Sequence, residues 1–285
     1  MPVASRCGTP VSPETPTAAY ARLVESLRGL GSVLVAYSGG VDSTLLAVAA
    51  REALPGRSLA VLAVSPTYPR SEVEAAEATA AALGLDLLEV ETDELADPNF
   101  TSNPSDRCYY CKQELFGLLR DLADARGLAH VADGNNADDM ADHRPGRRAA
   151  VEFDVVSPLQ DAGLSKDDIR AVSRMLGLPT ADKPSMACLA SRFPYGTVID
   201  AGGLARVGAA EESLRALGFA QTRVRVHGDV ARLEVAPDEL ARAFQERAAV
   251  SAALKSAGFA YAALDLDGYR TGSLNETLTE EARTW

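Results

Sequence analysis

The sequence lacks any apolar run of the roughly 18 residues that a membrane-spanning helix needs. Residues 1–16 are rich in Pro, Ser and Thr and lack the apolar core of a secretory signal. Cysteine is scarce as well, because a chain of 285 residues carries only four, too few for a disulfide framework. These absences predict a cytoplasmic protein in a reducing compartment, with no membrane partner.

Basic residues are also fewer than acidic ones. The chain has 28 Lys and Arg against 40 Asp and Glu, which gives a formal net charge of −12. Such a protein repels nucleic acids and anionic membranes unless a local basic patch overcomes its overall field. We therefore expect no nucleic-acid partner. Hydrophobic residues make up 47% of the chain and charged residues 24%, the proportions of an ordinary folded protein.

Short apolar segments alternate with helical patterns from residue 17 onward. Residues 33–37 form an almost wholly apolar run, as expected for a strand buried on both faces of a parallel sheet. A glycine turn and a helix follow, and the cycle then repeats. The predicted strands are 33–37, 59–64, 87–90 and 129–132, and the helices 17–30, 43–54, 71–83, 109–126 and 165–176. Repeated βαβ units predict an α/β fold with a doubly wound parallel sheet.

A change of character near residue 199 predicts a second, smaller domain. The pattern there is a helix over 203–217, strands over 222–227 and 231–235, a helix over 237–255 and a strand over 259–266. We therefore expect three parts. These are a disordered leader at 1–16 that contains Cys7, a nucleotide-binding α/β domain at 17–198, and an α+β domain at 199–285.

The turn after the first strand has the sequence SGGVDS over residues 38–43. Gly39 and Gly40 permit a tight turn and let backbone N–H groups approach an anion. Ser38 and Ser43 add hydroxyl donors at a helix N-terminus, where the dipole favours negative charge. Asp42 is suited to hold a Mg²⁺ ion that bridges phosphates. The segment predicts a phosphate-binding loop, and the alternative is an ordinary strand-to-helix turn.

A second polar segment, residues 133–139, follows the strand at 129–132. It is therefore expected at the carboxyl edge of the sheet, where ligands bind in open α/β folds. Its acids and amides, with Asn135 among them, can hold a ribose, a substrate or a second Mg²⁺. The alternative is an Asx-rich turn without a ligand.

Three cysteines stand outside the leader: Cys108 and Cys111 in a CxxC pair, and Cys188 in a polar loop. A CxxC pair alone fits a redox dithiol, half a zinc site, part of an iron–sulfur site or two buried apolar residues. No second CxxC or histidine pair completes a zinc site. Three thiolates with one open position suit an iron–sulfur cluster that uses its unliganded iron, and the alternative is three free cysteines.

The hexapeptide over 38–43 resembles the PP-loop of the ATP pyrophosphatase superfamily, which splits ATP between its α- and β-phosphates. Together with the segment from Asp133 to Gly146 and the CLASRFPYG stretch that begins at Cys188, it resembles the LarE sulfur-transferase family. The resemblance runs from about Thr17 to the C-terminus. That family makes the nickel-pincer nucleotide cofactor of lactate racemase. It activates the carboxylates of a pyridinium biscarboxylate mononucleotide with ATP and converts them to thiocarboxylates.

The resemblance implies roles for individual residues. ATP would bind to Ser38, Gly39, Gly40, Asp42, Ser43 and Asn135, with Mg²⁺ on Asp42 and the pyrophosphate facing Lys183; the alternative for Lys183 is a solvated surface lysine. Cys188 would attack the acyl-adenylate. In the single-cysteine branch of the family, that cysteine gives up its own sulfur. Cys108 and Cys111 depart from that branch and resemble members that bind a [4Fe-4S] cluster, so the sacrificial route is in doubt.

Arginines alternate with valines over residues 223–226, so Arg223 and Arg225 share one face of a strand and can clamp a phosphate together. The resemblance assigns such arginines, with Arg270, to the phosphate of the mononucleotide substrate. The alternative is a solvated strand face. Glu212 and Glu234 are weaker candidates for contact with substrate or metal.

Other functions remain open at this point. The alternatives are an amide synthetase such as NAD synthetase, a tRNA thiolase, and a nucleotide-binding regulator that is not an enzyme. The first needs no reactive cysteine, and the acidic charge disfavours the second. The expected partners are a small-molecule mononucleotide, other copies of the chain in a homo-oligomer, and other cofactor-maturation proteins.

Overall fold

The computed structural model describes residues 15–141, 145–184, 187–270 and 272–278. Most of the expected leader, with Cys7, lies outside the described residues, and so do residues 142–144 of the segment from Asp133 to Gly146. The first helix, α1 (Pro16–Leu30), begins directly after Thr15, whose side chain accepts a hydrogen bond from the Ala18 N–H.

Five strands form the main sheet. In chain order they are β1 (Val33–Tyr37), β2 (Ser58–Val64), β3 (Leu87–Glu91), β4 (His130–Ala132) and β5 (Val155–Val156). Their spatial order is β3-β2-β1-β4-β5, and every neighbouring pair is parallel. This confirms the predicted α/β fold. The order reverses between β1 and β4, and ligands bind at such a switch point in open parallel sheets.

β1 is buried on both faces, which explains its continuous apolar run. Val33, Val35 and Tyr37 belong to one core, which also contains residues of α1, α2 (Val41–Ala53) and α8 (Lys166–Met175). Leu34 belongs to the core on the opposite face, together with residues of α5 (Arg107–Arg126). Helices therefore cover both faces of the sheet.

The remaining elements of this region are helices and 3-10 turns. They are α3 (Arg70–Ala82), α4 (Pro98–Thr101), α6 (Gly146–Glu152), α7 (Pro158–Asp161) and 3-10 turns at Glu94–Ala96, Ala137–Ala141 and Leu189–Arg192. The sequence pattern predicted only irregular chain between β4 and α8. A strand of two residues, as β5 is, cannot show a period of two, so the sequence gives no sign of it.

The smaller sheet has three strands in the order β6-β7-β8. Its elements are α9 (Ala201–Ala216), β6 (Thr222–His227), β7 (Val230–Val235), α10 (Leu240–Gln245), α11 (Arg247–Ser256) and β8 (Tyr261–Leu264), with 3-10 turns at Pro237–Glu239 and Ser273–Thr277. β7 pairs antiparallel with β6 and parallel with β8. The helix predicted over 237–255 is thus two helices preceded by a turn. No helix in the described ranges is long and apolar enough to cross a membrane.

The core beneath the smaller sheet reaches back past residue 199. Leu204 and Val207 of α9 pack there with Phe259, and Leu189 and Phe193 from the preceding loop join the same cluster. The loop that contains Cys188 is therefore fastened to the smaller sheet. The domain division at residue 199 stays a prediction.

The phosphate-loop glycine Gly39 provides a test of the fold. Its φ is +66°, and an added Cβ would lie 2.6 Å from the Ala76 Cβ on α3. We expect Gly39→Ala to lose about 3 kcal/mol of unfolding free energy, since left-handed strain of roughly 1 kcal/mol adds to a backbone clash. Urea denaturation measures the loss.

Gly163 is the matched control, because its φ is also +66° but no atom lies within 4 Å of an added Cβ. Gly163→Ala should therefore lose only the strain, about 1 kcal/mol. Equal losses in the two variants would contradict the close packing of Gly39 on α3.

Candidate active site

The loop between β1 and α2 is closed by two serines. The Ser43 hydroxyl accepts a hydrogen bond from the Ser38 N–H at 3.1 Å, and the two hydroxyl oxygens also lie 3.1 Å apart. Gly40 is the N-cap of α2 and has no side chain to satisfy the N–H groups of the first helical turn. These N–H groups and the two hydroxyls can bind an anion such as a phosphate.

Asp42 lies in the first turn of α2 and has two partners. Its carboxylate forms an ion pair with Lys166, the first residue of α8, and accepts a hydrogen bond from the Asn136 side chain at 3.2 Å. One carboxylate with phosphate oxygens and water is a common ligand set for Mg²⁺. Asp42 therefore fits the magnesium role, with Lys166 able to neutralise phosphate charge beside it.

The loop after β4 lies against the phosphate loop. An added Cβ at Gly134 would be 3.3 Å from the Ser43 nitrogen, so any side chain here would press against the phosphate loop. Asn135 points its amide back to Asp133 at 2.5 Å, and the Ser157 hydroxyl donates to the same carboxylate at 2.7 Å. Burial raises the pKa of Asp133 above its usual range, and the Ser157 hydrogen bond opposes that rise.

These two loops border a cavity of about 370 Å³ at the carboxyl edge of the sheet. Its walls combine the phosphate-loop residues Ser38, Asp42 and Ser43 with apolar strand ends, Lys112 of α5, and Cys188. The structure thus brings together the predicted phosphate loop, Asn135 and the predicted nucleophile, which are up to 150 residues apart in the sequence.

A smaller cavity of about 150 Å³ adjoins it and shares Ser38 and Asp42. Lys183 lines this cavity and contacts the phosphate loop, because its ammonium donates to the Gly39 carbonyl at 3.1 Å. It also pairs with Glu72 at 3.0 Å. This position differs from that of a solvated surface lysine and suits contact with a phosphate.

The three cysteines lie on two elements. Cys108 is exposed in the first turn of α5, Cys111 follows one turn later, and Cys188 precedes the Leu189–Arg192 turn. Cys111 and Cys188 pack against the same apolar cluster. Burial raises the pKa of the Cys111 thiol well above its usual range, while the Lys112 charge opposes this and the other two thiols add to it. Across the described residues, no group of three or more His, Cys, Asp or Glu is arranged to hold a metal ion.

An ion pair that the sequence analysis missed holds the Cys188 loop. The Arg192 side chain is fully buried and binds Glu211 of α9 through two contacts of 2.8 Å. Arg192 also donates to the Cys188 carbonyl at 3.0 Å, and Glu211 accepts from the Val224 N–H of β6 at 2.9 Å. Arg192 was expected in a polar loop, and a sequence shows no sign that it pairs with a residue on a helix that begins nine positions later.

Arg223 and Arg225 on β6 are each 6% exposed, so this is not a solvated strand face. Arg225 binds Glu234 on β7 at 2.9 Å and donates to the Ser191 carbonyl. Arg223 lies 5.1 Å from the centre of the Tyr269 ring. Burial lowers the pKa of Arg223 from its usual value.

Arg223 also lines a third cavity of about 240 Å³ that it shares with Lys183 and Glu72. Arg270 is not among the residues that line this cavity. It pairs with Glu276 at 3.1 Å. Of the two weaker candidates, Glu234 is fully buried against Arg225, and Glu212 is exposed on α9.

Several known proteins resemble this chain. A family model described as NAD synthase matches residues 21–107, which include the phosphate loop. A pyridinium-3,5-bisthiocarboxylic acid mononucleotide synthase from Lactiplantibacillus plantarum is 40% identical over 262 residues, which cover 91% of this chain and 95% of that protein. An uncharacterized protein from Synechocystis sp. is 46% identical over 88% of this chain and 94% of its own length.

A tRNA-specific 2-thiouridylase from Pelobacter propionicus is 31% identical, but over only 53% of this chain and 51% of that protein. The parallel sheet with a phosphate loop at its switch point defines the class, a PP-loop ATP pyrophosphatase fold. Within that class, the chain belongs to the LarE family of the L. plantarum synthase and is an ATP-dependent sulfur transferase.

The buried Arg192–Glu211 pair generates a prediction. Glu211→Gln keeps an oxygen for the Val224 N–H but leaves the Arg192 charge buried without a counter-charge. We expect a loss of about 3 kcal/mol in unfolding free energy, measured by urea denaturation. As a control, Glu74→Gln removes the exposed pair with Arg70 and should change stability by less than about 0.5 kcal/mol. A loss at Glu211 no larger than at Glu74 would refute the structural role of the buried pair.

Proposed function

We propose that the protein activates the carboxylates of pyridinium-3,5-biscarboxylic acid mononucleotide with ATP and converts them to thiocarboxylates. The observation that carries the proposal is that Cys188 lines the same cavity as Ser38 and Asp42. A thiol beside the phosphate loop can attack a carboxyl group as soon as ATP has activated it. The L. plantarum synthase, which resembles the chain over nearly its full length, supports this choice of substrate.

In the first step, a carboxylate oxygen of the substrate attacks the α-phosphorus of ATP. A bond forms between them, and the bond to the β-phosphate oxygen breaks, so pyrophosphate leaves with the electron pair. Ser38, Ser43 and the N-terminus of α2 bind the departing phosphates, and Lys183 and Lys166 neutralise their charge. Asp42 would hold a Mg²⁺ ion, which supplies further charge neutralisation on the phosphates when bound.

Two routes are open for the second step. In the sacrificial route, the Cys188 thiolate would attack the carbonyl carbon of the acyl-adenylate and AMP would leave, giving a thioester. Removal of the Cys188 Cα proton then breaks the Cβ–Sγ bond. The products are the substrate thiocarboxylate and a dehydroalanine at position 188. Each chain would transfer one sulfur by this route.

A [4Fe-4S] cluster on Cys108, Cys111 and Cys188 would instead allow repeated turnover. The donor set fits, because three thiols come from one helix turn and one neighbouring loop, and Cys111 and Cys188 pack on the same apolar cluster. In such a cluster each thiolate binds a different iron, so the thiols need not surround one ion. When bound, the cluster would supply a transferable sulfide at its open iron. We propose this route for the chain, since it explains the CxxC pair.

Arg223 and Arg225 are proposed to bind the phosphate of the mononucleotide, with Arg270 as a further contact. The buried guanidinium of Arg223 borders the cavity that also reaches Lys183, which supports a path from the smaller sheet to the phosphate loop. In this proposal residues 17–198 bind ATP and residues 199–285 bind the substrate. The homo-oligomer, the contact with maturation proteins and the cytoplasmic location stay predictions.

One variant tests the activation of the carboxylate, and another tests the transfer of sulfur. Asp42→Asn should lower substrate-dependent pyrophosphate release by a hundredfold or more, because the metal loses its carboxylate (roughly the scale of losing one strong electrostatic contact). Cys188→Ala should still release pyrophosphate but form no thiocarboxylate, as followed by mass spectrometry. Asp182→Asn, which alters only an exposed pair with Arg174, is the control and should behave as wild type.

Thiocarboxylate from Cys188→Ala would refute the assigned nucleophile, and full activity of that variant in amide formation would favour an amide synthetase. The mass of the peptide that contains Cys188 identifies the sulfur source. Loss of the elements of H₂S after turnover means sacrifice. The cluster is the source if Cys188 stays intact, each chain forms several product molecules, and Cys108→Ala lowers the number of product molecules per chain.

A further inference from the structure

Three of the four lysines in the sequence line the two adjoining cavities of the site. Lys166 and Lys183 line the smaller cavity at the start of α2, and Lys112 lines the larger one. The remaining lysine, Lys255, is exposed near the end of α11. Most other basic residues of the chain are arginines. The few lysines are therefore concentrated where phosphates are expected to bind.

Lys112 differs from its two neighbours in its partners. Lys166 is paired with Asp42 and Lys183 with Glu72. Lys112 makes no hydrogen bond or ion pair with any residue that the structure describes; its ammonium lies 5.1 Å from the centre of the buried Phe116 ring. A half-buried ammonium on an aromatic face, without an anionic contact, keeps its capacity to bind an anion.

The carboxylates around the larger cavity do not compensate this charge by contact. Asp42 and Glu72 are occupied by Lys166 and Lys183. Asp133 accepts hydrogen bonds from Ser157 and Asn135. Lys112 is thus the one cation among the described residues that line this cavity. Its charge acts on Asp133 across the cavity without a hydrogen bond or ion pair between them, so the ammonium keeps its donors for a ligand.

The position of the Lys112 side chain is set by packing. An added Cβ at Gly146, the first residue of α6, would lie 2.9 Å from the Lys112 Cγ, so the glycine lets α6 pack on the aliphatic part of the lysine. Leu115, one turn later on the same face of α5, lines the cavity beside the apolar strand ends Val61 and Leu62. This apolar wall suits an adenosine, with Lys112 at its edge.

We propose that Lys112 binds the α-phosphate of the nucleotide, the phosphate that stays behind as AMP when pyrophosphate leaves. The assignment rests on the proposed cleavage of ATP between its α- and β-phosphates. That reaction produces two anions, and the lysines divide between them: Lys166 and Lys183 face the pyrophosphate, and Lys112 faces the adenylate. When sulfur displaces AMP from the acyl group, the electron pair leaves with AMP, whose added charge Lys112 neutralises.

Equilibrium binding of AMP, adenosine and pyrophosphate to the full chain tests this division. We expect Lys112→Gln to weaken AMP binding at least tenfold, the effect of losing one charge-assisted hydrogen bond. Its affinities for adenosine and pyrophosphate should stay within about twofold of wild type, which a merely structural defect would not allow. Lys183→Gln should show the reverse pattern, weaker for pyrophosphate and unchanged for AMP. Lys112→Arg should recover part of the AMP affinity, and Lys255→Gln should match wild type.

The proposal is overturned if Lys112→Gln binds AMP as wild type does, if it loses adenosine or pyrophosphate affinity to the same degree, or if wild type does not prefer AMP to adenosine. These measurements do not depend on sulfur transfer. A wild-type protein that binds AMP through Lys112 but forms no thiocarboxylate would refute the proposed function and leave this assignment intact.

Discussion

The buried ion pair between Arg192 and Glu211 joins the parts of the site that are distant in sequence. Two charges removed from water are costly unless every donor and acceptor is satisfied. Here the guanidinium also binds the Cys188 carbonyl, and the carboxylate also binds the Val224 N–H of β6. The loop with Cys188, the proposed nucleophile, is thereby tied to the strand that carries Arg223 and Arg225. This pair therefore fixes the position of Cys188 relative to the two arginines that are proposed to bind the substrate phosphate.

Paired charges explain how an acidic protein can bind a polyanionic nucleotide. The net charge of −12 disfavours anions at long range, but the cavities combine a helix N-terminus with nearby lysines. Asp42 and Glu72 neutralise Lys166 and Lys183 in the smaller cavity, so a Mg²⁺–phosphate group can exchange with these contacts at low cost. The short-range arrangement thus decides the ligand, and the overall charge decides only which large polyanions are kept away.

The fold class and the phosphate loop could be predicted from the sequence because both depend on local patterns. A strand buried on two faces, two glycines and a helix start are contiguous. β1 lies where that pattern placed it, and α2 begins at Val41, two residues earlier than predicted. Contacts over long separations could not be predicted. Asp42 and Lys166 are 124 positions apart, and Arg192 looked like a loop residue although it is fully buried. β5 was missed because two residues carry no periodic signal.

In the proposed reaction, a substrate carboxylate becomes bonded to the α-phosphorus of ATP in this cavity. This bond can be traced with a mononucleotide whose carboxylate oxygens are labelled with ¹⁸O, followed by mass spectrometry of the nucleotide product. Attack by the carboxylate and later displacement by sulfur leave one labelled oxygen on each AMP that forms together with thiocarboxylate. Unlabelled AMP, or the formation of ADP and phosphate instead of AMP and pyrophosphate, would contradict activation of the carboxylate by adenylation.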